Sequence, residues 1–287
     1  MQLDARFVGA RLRPYQIDVD RRMTTNFAAA TGDRNPLYLD DRQKDGLIAP
    51  PMLAVALTWP VSSNLGNYLP ADDFPSDVLL TQVHYSEKLD IHRLIRPGDR
   101  LTINGQLAGI LPHRAGTHCV MRYRASDPEG APVFTEHIGV ILRGVACQGA
   151  GRDLNLPDEP QGNWESGPLW RRKIHIDPLL PYVYDGCSGI DFAIHTSPAF
   201  ATAMGLPGII LQGTCTLALA ARELIHREAD ADPARLKSLS CRFSGMVRPG
   251  SDISVDLLSK DENHFFFEVV NQEGEKAVSR GYAQISG

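Results

Sequence analysis

The chain reads as an α+β protein made from one unit used twice, and three observations predict this. A polar motif running into an apolar helix occurs in each half: Thr31-Gly32-Asp33-Arg34-Asn35-Pro36-Leu37-Tyr38 leads to Ile48-Ala49-Pro50-Pro51-Met52-Leu53, and Cys187-Ser188-Gly189-Ile190-Asp191-Phe192-Ala193-Ile194-His195 leads to Leu211-Gln212-Gly213. An Arg-Pro-Gly turn follows each motif, ending at Gly98 and at Gly250, and the two markers recur at nearly equal intervals, as duplication requires. Each turn joins strand-like segments, 83–89 to 101–107 in the first half and 239–247 to 253–258 in the second.

The 287 residues suffice for two compact domains, and 43% hydrophobic with 22% charged residues is the balance of a globular protein. Residues 148–172 are rich in Gly, Pro, Asp and Glu and lack helical or strand periodicity, which predicts a linker between domains at 1–147 and 173–287. A formal net charge of −5 leaves no basic excess for nucleic acid. Five cysteines without a Cys-x-x-Cys pair fit a reduced, cytoplasmic setting, with neither disulfides nor zinc. The N-terminus carries charges where a signal peptide needs an apolar run. The longest apolar stretch, 47–61, contains Pro50, Pro51 and Pro60 and is too short to cross a bilayer, so no membrane contact is expected.

Element by element, each half should run from a short helix through the polar motif to an apolar helix and then a series of strands. Gly-Asp-Arg-Asn-Pro is a turn and helix-start signal. The helix expected at 52–65 contains Pro60, which should kink or end it and leave room for a substrate on that side. His113 and His118 flank Gly116 as at a hairpin. The helix at 213–228 is apolar all round in its first turns and then carries Leu217, Ala221, Leu224 and Ile225 on one stripe, so its start should be buried and its end exposed.

The chemistry concentrates around the second motif. An acid, Asp191, and an imidazole, His195, precede a helix whose first N–H groups are unpaired and lie at the positive end of the dipole, a place for an oxyanion. Gly213 opens that helix without a side chain, so a ligand oxygen could come close to the backbone. Asp191 and His195 share one face if their segment is helical; Asp191 could equally cap a helix, and His195 could be a hydrogen-bonded core histidine. Ser188 is a possible donor nearby, although loop hydroxyls often cap backbone groups. The other histidines are scattered, no pair has metal-ligand spacing, and no nucleotide-binding glycine motif occurs, so neither a metal nor a bound cofactor is expected.

Together the two motifs resemble the MaoC-like hydratase/dehydratase family, the (R)-specific enoyl-thioester hydratases. Its pattern is roughly Ser-Gly-Asp-x-Asn-Pro-Leu-His, then a run ending His-Gly before the central helix. In the second half Gly189, His195 and Gly213 fall on the family's glycine, histidine and helix-leading glycine, while Ile190 takes the place of the aspartate, Phe192 of the asparagine, Ala193 of the proline and Gln212 of the later histidine. In the first half Asp33, Asn35, Pro36 and Leu37 match, and Tyr38 replaces the histidine.

The resemblance implies a double hotdog, each half an antiparallel sheet wrapped around a central helix, with the site in the C-terminal half. It implies reversible hydration of a 2-enoyl thioester, or dehydration of the 3-hydroxyacyl thioester, carried on coenzyme A or an acyl carrier protein. Asp191, His195 and Gly213 are then the catalytic candidates, and Asp33, Asn35, Tyr38, Ser188 and Gln212 the substrate-binding ones. A homo-oligomer is expected. A hotdog thioesterase and a non-catalytic acyl-thioester-binding subunit are the alternatives.

Overall fold

A computed structural model describes residues 1–71, 73–165 and 167–287. The strands are β1 (Gln2–Asp4), β2 (Tyr15–Asp18), β3 (Gln82–Ile91), β4 (Arg100–His113), β5 (Gly116–Ser126), β6 (Pro132–Arg143), β7 (Ala146–Gln148), β8 (Arg152–Asp153), β9 (Trp170–His175), β10 (Leu236–Phe243), β11 (Asp252–Asp261), β12 (His264–Val270) and β13 (Lys276–Ile285). The helices are α1 (Arg21–Ala30), α2 (Pro36–Leu39), α3 (Leu53–Ser62), α4 (Leu65–Tyr68), α5 (Leu180–Ser188), α6 (Pro198–Ala203) and α7 (Gly213–Glu228).

Eleven of the strands form one sheet, in the order β2-β4-β5-β6-β3-β10-β13-β12-β11-β9, with β8 paired to β4. Read inward from each edge, the halves repeat one topology: the first strand at the edge, then the third, fourth and fifth, and the second at the seam. The halves meet where β3 pairs antiparallel with β10, Leu89 opposite Leu239 and Glu87 opposite Cys241. Two sheets joined edge to edge in this way, each around its own apolar helix, make a double hotdog. The Arg-Pro-Gly segments therefore connect strands that are not neighbours, since β5 and β6 lie between β4 and β3. Local spacing alone could not show this, because a crossover and a hairpin can share the same turn chemistry.

The central helices explain the core. In α7, residues 214–221 with Leu224 and Ile225 are buried, and Glu228 accepts from Trp170 and Lys260 at its outer end. In α3 every residue from Leu53 to Thr58 is buried, and the helix stops two residues after Pro60, whose ring cannot donate to the helical ladder. Thus α7 has 16 residues and α3 has 10. Gly189 at the end of α5 takes φ 72° and Gly32 after α1 takes φ 63°, left-handed positions that favour glycine and turn the chain into the two motif loops.

The stretch 148–172 is not bare linker. β8 lies in it, Asn163 O accepts from Ser259, Trp164 Nε1 donates to Gly281 O, and β9 already begins at Trp170. Within it β8 pairs with β4 of the first half and β9 with β11 of the second. All five cysteines are free thiols. No helix among the described residues is long and apolar enough to cross a membrane.

Candidate active site

A cavity of about 370 Å³ opens between α3 and the start of α7. Both halves build it: Trp59, Ser62 and Leu65 come from the α3 side, His84 from β3, Cys119, Met121 and Tyr123 from β5, and Ile190, His195, Gln212, Gly213 and Thr214 from the C-terminal half. Because α3 ends early, its side of the cavity stays open. This is the space the proline in the first helix predicted.

His195 closes a single 3-10 turn, Ala193–His195, and its Nδ1 lies 2.8 Å from Ile210 O. A carbonyl can only accept, so Nδ1 carries the proton and a neutral ring leaves Nε2 as an acceptor. Burial lowers the His195 pKa below that of a free imidazole and keeps the ring neutral. Gln212 is 1% exposed; its Nε2 donates to Pro181 O at 3.0 Å, and its Oε1 has no partner among the described residues. An acceptor so buried is costly unless something donates to it. Two acceptors from neighbouring segments, His195 Nε2 and the buried Gln212 Oε1, thus belong to residues that line the cavity.

The third component is the start of α7. No side chain caps it, so its first-turn N–H groups remain for a ligand. A Cβ at Gly213 would come 3.0 Å from the Phe243 ring, a contact tighter than ordinary packing, and would stand over those amides.

The other candidates fall elsewhere. Asp191 is exposed and not among the cavity's lining residues; the segment is extended at Phe192 instead of helical, and the Asp191 carboxylate accepts from Trp59 Nε1 at 3.0 Å beside the mouth. Ile190, 3% exposed, lines the cavity in its stead. Ser188 donates to Tyr184 O and accepts from Ile190 N, so its hydroxyl is used in holding the loop.

Asp33, Asn35 and Tyr38 gather near the far end of α7, at the position related to the cavity by the internal repeat. Asp33 Oδ1 accepts from Asn35 N at 3.0 Å and pairs with His226 Nε2 at 2.9 Å. Asn35 caps α2 through Leu37 N and donates to Ala231 O at 2.7 Å. Tyr38 is fully buried, its hydroxyl has no partner among the described residues, and burial raises its pKa well above the ordinary value. Only about 10 Å³ remains open here, because the longer α7 sends in Arg222, which donates to Thr31 O, together with Ile225. The structure therefore does not bring these three residues to His195. Asp33→Ala should cost about 1–3 kcal/mol of stability, since it strips the acceptor from a buried N–H and from His226. Turnover should stay near wild type. Denaturant unfolding beside a turnover assay checks both.

Sequence reading missed the polar residues on the N-terminal wall. His84 lines the cavity, and Glu87 and Glu136 are 1% and 0% exposed beneath it. One signal was available: counting back by two from the apolar Leu89 puts Glu87 on the core face of its strand.

Comparison with known proteins agrees with this geometry. Residues 165–281 match the MaoC like domain, and residues 6–136 match the FAS1-like dehydratase domain region. The 3-hydroxyacyl-thioester dehydratase Y of Mycobacterium tuberculosis is 25% identical, with 96% of this chain and 95% of that protein covered. The peroxisomal multifunctional enzyme type 2 of Drosophila melanogaster is 25% identical over 71% of this chain, which spans only 34% of that longer protein. Among solved structures, a MaoC-like dehydratase from Phytophthora capsici superposes with a TM-score of 0.85 at 23% identity, covering 96% of both chains. A duplicated hotdog whose C-terminal half supplies the imidazole and the helix-leading glycine, and whose two halves each match a dehydratase model, belongs to the MaoC-like hydratase/dehydratase family.

Proposed function

We propose that the protein is a hydro-lyase that adds water to a 2-enoyl thioester and removes it from the 3-hydroxyacyl thioester, with residues 1–147 and 173–287 as its two units. One observation carries the reading: a neutral imidazole acceptor, an unpartnered buried amide oxygen and an uncapped helix start line a single cavity.

In this mechanism the thioester carbonyl lies on the first N–H groups of α7, where the helix dipole and unpaired donors favour the negative charge that develops on oxygen. Water donates one O–H to His195 Nε2 and the other to Gln212 Oε1. As the water oxygen bonds to C3, its proton passes to Nε2 and the C2–C3 π electrons move into the enolate. The imidazolium then returns that proton to C2, so the elements of water are added and His195 is neutral again. A carboxylate at position 190 is not needed for this balance; Gln212 provides the second hold on the water. The carrier is coenzyme A or an acyl carrier protein, and both present the same thioester to the cavity.

Incubation with a 2-enoyl-CoA should give a product heavier by one water. Recovery of free acid and thiol would replace hydration with hydrolysis, and recovery of unchanged, bound thioester would leave a binding subunit. The pH profile supplies a second check. Activity needs unprotonated His195, and burial lowers its pKa, so kcat/KM should hold as the pH falls past the usual imidazole value of about 6.5 and drop only at lower pH. An acid limb centred above about 6.5 would mean another group limits the rate.

A further inference from the structure

The part of the cavity under the N-terminal half would suit a plain hydrocarbon chain, with Leu65, Met121, Ile138 and Val140 on its walls, except that polar groups stand among them. His84 Nε2 lies 3.2 Å from Ser86 O and 3.2 Å from Glu87 Oε2. Since a carbonyl must receive a proton, Nε2–H is committed to the backbone side, and Nδ1 is the ring's remaining polar atom, an acceptor without a partner among the described residues. The ring is held by Phe243, whose centroid lies 4.5 Å away and which also packs against Gly213. Burial lowers the His84 pKa to about 4, so the imidazole is neutral. Tyr123, fully buried behind the same wall, is already bonded to Ser62, whose Oγ donates to it at 3.0 Å.

Behind them the carboxyls of Glu87 and Glu136 lie on neighbouring strands, Glu136 opposite Leu89 and so diagonal to Glu87, and both are driven toward the neutral acid by burial. None of these groups is used by the hydration chemistry. An unpaired acceptor, fixed in an otherwise apolar pocket, is what a site needs to select a hydroxyl on its ligand.

We propose that His84 forms a specificity subsite for an acyl group carrying a hydroxyl away from the reacting double bond, the hydroxyl donating to His84 Nδ1. The substrate class is then a hydroxylated 2-enoyl thioester rather than an unsubstituted fatty acyl chain. This rests on the hydratase reading, and the test separates the two.

Wild type, His84→Leu and Tyr123→Phe are each assayed by loss of enoyl-thioester absorbance on 2-enoyl-CoAs of matched length, plain or bearing one hydroxyl at successive carbons beyond the double bond. Calorimetry gives Kd for the corresponding saturated acyl-CoAs, plain and hydroxylated, without turnover. For at least one hydroxyl position, wild type should favour the hydroxylated ligand by about 10- to 100-fold in kcat/KM and in Kd. His84→Leu should bring both ratios close to one, and Tyr123→Phe, the control, should leave them near wild type. Wild-type indifference at every position, or a preference that survives His84→Leu, would overturn the subsite. If no enoyl thioester is consumed, the hydratase reading fails on its own, while the Kd ratios still decide whether the subsite exists.

Discussion

His195→Ala should lower kcat/KM for a 2-enoyl thioester by about 10² to 10⁴, the usual contribution of a positioned general acid–base group. The variant should keep its fold, because the ring's one hydrogen bond is to a loop carbonyl, Ile210 O, and the residue is only half-buried. His175→Ala is the control. That histidine is exposed and pairs with Asp252 at 2.8 Å on the sheet edge, so its loss should leave the rate near wild type. Stopped-flow or steady-state absorbance on the three proteins settles the comparison. Equal losses in the two variants, or none in His195→Ala, would remove this imidazole from the mechanism.

Gly213→Val is the second large effect. Even a single Cβ would approach the Phe243 ring to 3.0 Å, and the two further methyls of valine would occupy the space through which the thioester carbonyl reaches the α7 amides. Losing access to an oxyanion donor costs roughly 10² to 10³ in kcat. Crowding the core start should cost a further 1–3 kcal/mol or so in stability. Rates measured at a temperature where circular dichroism shows the variant folded isolate the first effect from the second. Wild-type kcat in a folded Gly213→Val protein would place the carbonyl elsewhere.

The sequence was most informative where a local rule decides the outcome. α7 is legible because an unbroken apolar stripe begins at a glycine and ends among Arg222, Glu223 and Arg227, and nothing in tertiary packing opposes that periodicity. Pro60 foretold the shorter α3, since the missing N–H acts on the helix itself.

What stayed hidden depends on partners remote in the chain. The spacing of Asp191 and His195 suggested a shared face, but the carboxylate is taken by Trp59, which is 132 residues away and belongs to the other half. Asp33 likewise finds His226 at a separation of 193 residues, and Arg222 fills the space that a second site would need. His84 joins Glu87 on the inward face only because a bulge between His84 and Ser86 resets the alternation, a change that two-residue periodicity cannot reveal. Gln212 looked like a lost histidine; its meaning emerged from Pro181 O, which fixes the amide's orientation and leaves Oε1 buried without a partner among the described residues.

In this mechanism the C-terminal half supplies every group facing the reacting carbons. A structure of the protein with a 3-hydroxyacyl-CoA bound decides the point. The 3-hydroxyl should lie within hydrogen-bond reach of both His195 Nε2 and Gln212 Oε1, with the thioester oxygen on the first N–H groups of α7. A 3-hydroxyl directed at Asp33 and His226, or a thioester oxygen away from Gly213, would overturn the assignment.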